Sequence, residues 1–90
     1  MNTSQTILAV TQLWQVDKKQ YVKKSTISAY VLLLENHLLP AFGDKTELEE
    51  AEVQAFVFKK LEEGLSHKTI KDMLIVLKMI LKYGAKHQLL

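Results

Sequence analysis

The chain has 90 residues, of which 48% are hydrophobic, and it carries a formal net charge of +2. This length predicts one domain, residues 1–90, with one core, near the lower limit of chains that fold unaided. Because there is no cysteine, disulfides and thiolate metal sites are excluded. No apolar run is long enough to span a bilayer, and the polar N-terminus is unlike a signal sequence, so we expect a cytoplasmic protein without membrane contact.

Charge is distributed unevenly along the chain. Residues 1–43 carry four lysines and two acids, residues 44–65 three lysines and seven acids, and residues 66–90 five lysines and one acid. An acidic middle between basic ends indicates a domain with one basic side, as expected for DNA binding. All twelve basic residues are lysine, so bidentate arginine contacts to guanine are excluded and phosphate contacts should outweigh base reading.

Four helical segments and no strand are predicted. The first runs from about Ser4 to Lys19, with Thr3 or Ser4 as its cap. Helical periodicity places four of its apolar side chains inward. These are Ile7, Val10, Leu13 and Trp14.

The second segment spans residues 25–40. Ser25 or Thr26 is the expected cap, and Pro40 is expected to end the helix because it has no backbone donor. The inward stripe of this segment comprises Ile27, Tyr30, Val31, Leu34 and Leu38. A turn over 41–50 follows, with Phe42 tucked beneath it.

The third segment runs from about Glu50 to Glu63. Early glutamates suit the positive end of its helix dipole. These are Glu49, Glu50 and Glu52, and the core stripe consists of Val53, Phe56, Val57 and Leu61.

The fourth segment has two opposed faces. Gly64 closes the preceding helix and Ser66 caps the new one. The core face consists of Ile70, Met73, Leu74, Leu77, Ile80 and Leu81. On another face, an arc of roughly 80° holds five lysines. They are Lys68, Lys71, Lys78, Lys82 and Lys86. Their mutual repulsion would be relieved by a polyanion such as a phosphate backbone.

An ordered set of motifs resembles the N-terminal core-binding, SAM-like domain of phage-type tyrosine recombinases, the integrases. The set consists of Trp14, KKSTISAY at 23–30, HLLPAFGD at 37–44, GLSHKTI at 64–70 and LIVLKMILKYGAK at 74–86. The resemblance implies an all-α fold, a compact four-helix orthogonal bundle. It also implies a domain that clamps duplex DNA without chemistry, with its second and fourth helices facing the DNA.

The starts of those same two helices carry groups suited to phosphate. They offer backbone N–H groups, hydroxyls and ammonium groups. The predicted DNA-binding residues are Lys23, Lys24, Ser25, Thr26, Ser28, Ser66, His67, Lys68, Thr69, Lys71, Lys78 and Lys82.

No catalytic residue is predicted. The family's catalytic set needs two arginines, a histidine-rich motif and a tyrosine nucleophile in a following domain, whereas this chain has no arginine and stops at Leu90. The resemblance therefore implies a fragment or standalone relic of an integrase, with a linker beginning near 86–90. The implied partners are double-stranded DNA, the missing catalytic domain and other protomers on DNA.

Metal and cofactor sites are not expected. His37, His67 and His87 lie on different predicted helices and lack a partner at helical spacing. Tyr21, Tyr30 and Tyr83 lack an activating arginine cluster and are better explained by packing. Met73 and Met79 fit as core and half-exposed filler.

One alternative function stays open. Leu32 and Phe58 fall outside the core stripes, which fits either ordinary exposed surface or a protein contact. SAM-like bundles also serve as helical protein-interaction modules without DNA binding, and fold alone does not fix function.

Overall fold

Four helical segments form the computed structural model, which describes residues 5–20 and 22–89. They are α1 (Ile7–Lys18), a second segment beginning with α2 (Lys24–Leu33), α3 (Glu50–Glu62) and α4 (His67–Lys86). Within those described residues there is no strand. The prediction of an all-α four-helix bundle is confirmed.

Helix α1 begins three residues later than expected. The Oγ1 atom of Thr6 accepts a hydrogen bond from the N–H of Ala9 at 3.2 Å. Thr6 is therefore the cap, and the prediction of Thr3 or Ser4 is wrong; both of these lie outside the described residues.

The buried face of α1 is narrower than predicted. Ile7, Val10 and Trp14 are buried as expected, and Thr11 is buried with them, whereas Leu13 is 48% exposed. Consecutive helical positions differ by about 100°, so the residue next to Trp14 points away from the stripe on which Trp14 is centred. The inward prediction for Leu13 is wrong for that reason.

The second segment continues past its proline, contrary to expectation. A π-helical turn (Leu34–Leu38) follows α2 directly, and a last α-helical turn (Leu39–Phe42) follows that. The N–H of Leu39 reaches the carbonyl of Leu34, five residues back. Pro40 then lies in the first turn of a new helical register, where a missing N–H costs little.

The N-cap of this segment also differs from the prediction. The cap residue is Lys23, whose side chain makes no capping hydrogen bond. Ser25 and Thr26 lie inside the first turn, so neither is the cap. The helix starts without a hydroxyl cap because its first residue is Lys24, two residues earlier than a Ser25 cap would place it.

Helix α3 is fixed at both ends by its own residues. Glu49 and Glu52 form a reciprocal capping box, with the Glu49 N–H donating to Oε1 of Glu52 at 3.1 Å. At the other end, Gly64 has a φ of 90° and the N–H of Leu65 donates to the carbonyl of Lys60 at 3.2 Å. This left-handed glycine turn confirms Gly64 as the residue that closes the helix.

Helix α4 starts at the predicted serine. The N–H of Thr69 donates to the Ser66 Oγ at 3.2 Å, and the Ser66 hydroxyl donates to the Thr69 Oγ1 at 3.0 Å. Its predicted core face is buried or half-buried throughout, and Val76 and Gly84 are buried as well.

Two aromatic contacts join the helices around the core. The Trp14 ring lies 5.8 Å from that of Tyr30, connecting α1 to α2. The Phe42 ring lies 5.0 Å from that of Phe56, connecting the end of the second segment to α3. The fold is thin, with principal extents of 40 × 33 × 17 Å. Few side chains are fully buried as a result, so each buried contact carries a large share of the stability.

Replacing Thr11 by Val should stabilise the fold. The Thr11 Oγ1 is buried and has no hydrogen-bond partner within the described part of the chain. A buried unpaired hydroxyl costs about 1–3 kcal/mol, so its replacement by a methyl group of similar shape should raise the Tm by about 4 °C or more. Thr26→Val is the matched control, because Thr26 is half-exposed and water can reach its hydroxyl. A lower Tm for Thr11→Val would contradict the conclusion that the Thr11 hydroxyl is buried at a net cost to stability.

Replacing Ser66 by Ala should destabilise the fold by about 0.5–2 kcal/mol, the usual cost of losing an N-cap oxygen. Chemical denaturation measures the change. Ser25→Ala is the matched control: Ser25 lies within the first turn of α2 without a capping role, so its replacement should be neutral or slightly stabilising. Equal effects of the two substitutions would show that Ser66 contributes nothing as a cap.

Candidate nucleic-acid interface

The exposed face of α4 carries a row of lysines, which we call the lysine stripe. It consists of Lys68, Lys71, Lys78, Lys82 and Lys86, all of which are exposed. At 1.5 Å per residue the stripe is about 27 Å long. Only Lys68 has a carboxylate partner on the same helix, Asp72 at 3.4 Å. No acidic residue follows Asp72 in the sequence, so the remaining four lysines have no ion-pair partner on α4, and neighbouring ones repel one another.

The start of α4 adds polar groups at one end of the stripe. His67 and Lys68 are exposed, and Thr69 is half-buried. The first backbone N–H groups of a helix have no intrahelical acceptor, and the helix dipole makes this end positive. Because Ser66 already accepts from the Thr69 N–H, the N–H groups that stay available belong to His67 and Lys68.

The start of α2 forms a second cluster. Its predicted residues are exposed apart from half-buried Thr26: Lys23, Lys24, Ser25 and Ser28. Lys24 and Ser28 line a groove of about 810 Å³ together with Lys19, at the end of α1. The floor of this groove is apolar and includes Ile27 and Val31.

The end of α1 supplies two basic residues that were not among the predicted site residues. Lys18 shares a cleft with Lys82 and Lys86 of the lysine stripe, and Lys19 shares the neighbouring groove with Lys24. The sequence shows a basic run at this point, but only the packing of α1 across α4 places it beside the stripe. That packing depends on Trp14, which lines the same cleft.

The two predicted helix starts lie toward opposite ends of α4. The start of α2 adjoins the end of α1, which adjoins Lys82 and Lys86. The start of α4 adjoins the end of α3 instead, and α4 is about 30 Å long. The structure thus joins the α2 cluster to the C-terminal half of the lysine stripe and separates it from Ser66–Thr69.

The middle of the stripe borders apolar surface. Lys71 and Lys78 flank a shallow groove between α3 and α4, whose floor includes Val53, Leu74 and Ile75. Ile75 is 47% exposed. A lysine beside apolar surface can cover it with its aliphatic stem while the ammonium group stays in water, so these two ammonium groups remain available to an anion.

His37 lies away from the stripe, in the π-helical turn. Burial lowers the pKa of its imidazole, Lys60 lowers it further, and Glu63 acts in the opposite direction. The ring is therefore neutral at physiological pH and adds no charge to the basic surface. Its Nδ1 is buried without a partner among the residues that the structure describes.

The remaining predictions concern groups outside the stripe. Tyr30 and Tyr83 are half-buried, as expected for packing residues, while Tyr21 lies outside the described residues. Met73 is buried and Met79 half-buried, in agreement with their predicted filler roles. Across residues 5–20 and 22–89, no group of three or more metal-ligating side chains is close enough to hold an ion. Within the same residues no helix is long and apolar enough to cross a membrane.

The C-terminal residues turn back onto the bundle. Gln88 has a φ of 58°, and the N–H of Leu89 donates to the carbonyl of Gly84 at 2.7 Å. The Leu89 carbonyl then accepts from the N–H of Gln5 at 2.8 Å. A linker beginning near 86–90 stays a prediction, but residues 87–89 pack on the domain and do not extend from it.

Comparison with known protein families identifies the family to which the chain belongs. A family model described as phage integrase, N-terminal SAM-like domain matches residues 6–61, which is more than half of the chain and spans α1, the second segment and nearly all of α3. The match ends before α4, so the lysine stripe lies outside it. Curated proteins and solved structures gave no significant match. The family match confirms the predicted resemblance: the chain belongs to the phage integrase N-terminal SAM-like domain family.

Proposed function

We propose that this domain binds the backbone of duplex DNA through its second and fourth helical segments, within an integrase whose covalent chemistry is carried out elsewhere. The observation that carries the proposal is the lysine stripe. Five exposed lysines follow one face of α4 over about 27 Å, and the last four have no carboxylate beside them on the helix. The phosphates of a DNA backbone form a row of negative charge that can offset the repulsion between these lysines along the whole length of the stripe.

The composition of the surface predicts how the domain binds. Without arginine, the domain lacks the fork-shaped donor that reads guanine bidentately. Lysine ammonium groups bind phosphate as point charges, so we expect the contacts to position the domain on DNA with little sequence preference. A few phosphate contacts correspond to an affinity of about 10⁻⁴–10⁻⁶ M at physiological salt.

The family membership supports the biological setting. An integrase acts on DNA, which in a bacterial or phage-infected cell lies in the cytoplasm. We place the domain on that DNA, next to a catalytic domain of the same protein and to other protomers. Predicted contacts at Ser66, His67, Lys68 and Thr69 and at the start of α2 are part of this proposal.

A helical protein-interaction module is the second candidate, and specific exposed residues favour it. Phe58 on α3 is 67% exposed and Leu32 on α2 is 60% exposed. Leu32 also lines the groove at the start of α2, beside Val31. Salt separates the two functions, because DNA binding should weaken steeply with ionic strength while an apolar contact should not.

Reversing two charges of the lysine stripe should abolish most of the DNA affinity. Changing Lys71 and Lys78 to Glu replaces two phosphate attractions by repulsions, so binding of a short duplex should fall at least tenfold. Both side chains are exposed, so the helical content measured by circular dichroism should stay close to native. Fluorescence anisotropy at low salt measures the affinity.

Two matched single substitutions test whether DNA affinity depends on where a lysine lies or only on the net charge of the domain. Lys78→Glu and Lys59→Glu change the charge equally, and both lysines are exposed on helices, but Lys59 lies on α3 outside the proposed interface. Charges further than about 8 Å from the DNA are screened at physiological salt, so Lys78→Glu should weaken binding more. Equal losses for the two variants would mean that α4 does not contact the DNA directly.

A further inference from the structure

The solvent-facing side of α1 carries apolar side chains. Consecutive helical positions differ by about 100°, so Leu8, Gln12 and Val16 lie within about 80° of one another, on the side away from the buried face. We call these three residues the outer row of α1. Leu8 is 42% exposed and Val16 is 63% exposed, and Gln12 between them is exposed as well. Leu13, which is 48% exposed, flanks the row.

Charge is absent from this stretch of the chain. Residues 5–16 contain no aspartate, glutamate, lysine or arginine. A surface helix normally places charged side chains opposite its core face, and a helix that is apolar on all sides is normally buried. The core already covers the inner face of α1, at Ile7, Val10 and Trp14. The outer face therefore has the composition of a second contact surface.

The surroundings of the two ends of α1 carry opposite charge. Beyond the C-terminal end, residues 19–24 contain three exposed lysines and no acid. Beside the N-terminal end, the N–H of Leu8 donates to the carbonyl of Gly43 at 2.8 Å, which holds residues 43–49 there. These residues contain three acids and one lysine. That lysine, Lys45, is paired with a carboxylate of α3 at 2.6 Å, so the N-terminal end is bordered by net negative charge.

A second copy of the chain matches this pattern when its α1 lies antiparallel to the first. A two-fold axis through Gln12 sets Leu8 of each copy against Val16 of the other, because both residues lie four positions from Gln12. The same axis sets Lys19 of each copy beside the acidic connection of the other copy, near Asp44, which is exposed. A parallel pair would instead set lysines against lysines. The charges around α1 therefore favour the antiparallel arrangement.

We propose that the outer row of α1 is a dimerisation surface, on which a second copy of the chain docks with its own α1 antiparallel. No residue of the outer row belongs to the proposed DNA-binding surface, so the dimer does not depend on the proposed function. The contact is small, because α1 has only 12 residues, whereas stable complexes bury about 1,200–2,000 Å². We therefore expect a weak dimer that becomes well populated when two copies are held on one duplex.

Sedimentation equilibrium of the domain without DNA tests whether the dimer forms. The average mass should rise toward twice that of the monomer between micromolar and millimolar protein. Val16→Glu buries an unpaired carboxylate in the contact, so it should weaken association about tenfold or more. Phe58→Glu is the matched control, because Phe58 is similarly exposed but lies on α3, and it should leave association unchanged. A wild type that stays monomeric at millimolar concentration would overturn the inference, and so would equal effects of the two substitutions.

A charge exchange tests the antiparallel direction. Lys19→Glu and Asp44→Lys each set like charges beside one another across the dimer, so each should weaken association about twofold or more at low salt. The double variant exchanges the two signs and should recover the association constant of the wild type. If the double variant instead shows the sum of the two losses, these ends do not meet and the antiparallel arrangement is wrong.

Cross-linking locates the two-fold axis, because the chain has no cysteine of its own. Packed helices have axes about 8–10 Å apart and Cα atoms about 2.3 Å from each axis. Cα atoms that face each other at the axis are then about 3.4–5.4 Å apart, which overlaps the range of about 4.4–6.8 Å for a disulfide. Gln12→Cys should therefore form a disulfide-linked dimer on mild oxidation. Gln54→Cys, at an exposed position of α3, should not.

Equal cross-linking of the two cysteine variants would show that Gln12 does not lie at the contact, and the inference would be wrong. All of these measurements are made without DNA. Failure of the domain to bind DNA would therefore remove the proposed function and leave the dimer intact, while a monomeric domain that binds DNA would remove only the dimer.

Discussion

The burial of the apolar face of α4 is the constraint on which the rest of the structure depends. Met73, Leu77 and Ile80 are almost entirely removed from solvent, in contact with side chains from the other helical segments. Burying such side chains is worth about 1.5–3 kcal/mol each, which is far more than the repulsion between neighbouring exposed lysines. The core therefore fixes the rotation of α4 about its axis, and the lysines must face water whatever their mutual repulsion costs.

Helix α1 runs from the acidic part of the domain to its basic part. Its first N–H groups bond to the carbonyls of Lys45 and Gly43, in the connection that precedes the glutamate-rich helix α3. It ends about 18 Å further on at Lys18, beside the end of the lysine stripe. Trp14 of α1 belongs both to the core and to the basic surface, because the same ring packs against Tyr30 in the core and lines the cleft that holds Lys18, Lys82 and Lys86. A loss of core packing at Trp14 would thus also disperse the charges that lie around it.

Local signals in the sequence were sufficient for some parts of the fold. The helical period places the core and lysine faces of α4 correctly, because both faces are set by residue spacing alone. Gly64 and Ser66 were also identified correctly, since a left-handed glycine and a serine cap act within a few residues of themselves.

Other features depended on packing or on a change of helical register. Pro40 was expected to end its helix, but the π-helical turn before it moves the proline to a position where no N–H is needed. Lys18 was missed as a candidate site residue because its nearness to Lys86 exists only after α1 has packed across α4. The separation of the two helix starts, at Lys23 and at Ser66, likewise follows from helix packing and not from residue spacing.

An NMR titration of the isotopically labelled domain with duplex DNA, at about 50 and about 200 mM salt, tests the central claim most directly. The account predicts that amide shifts follow the lysine stripe and the start of α2, that α3 stays largely unperturbed, and that the apparent affinity drops sharply at the higher salt. Shifts centred on Leu32 and Phe58 that do not depend on salt, or no shifts at either concentration, would contradict it.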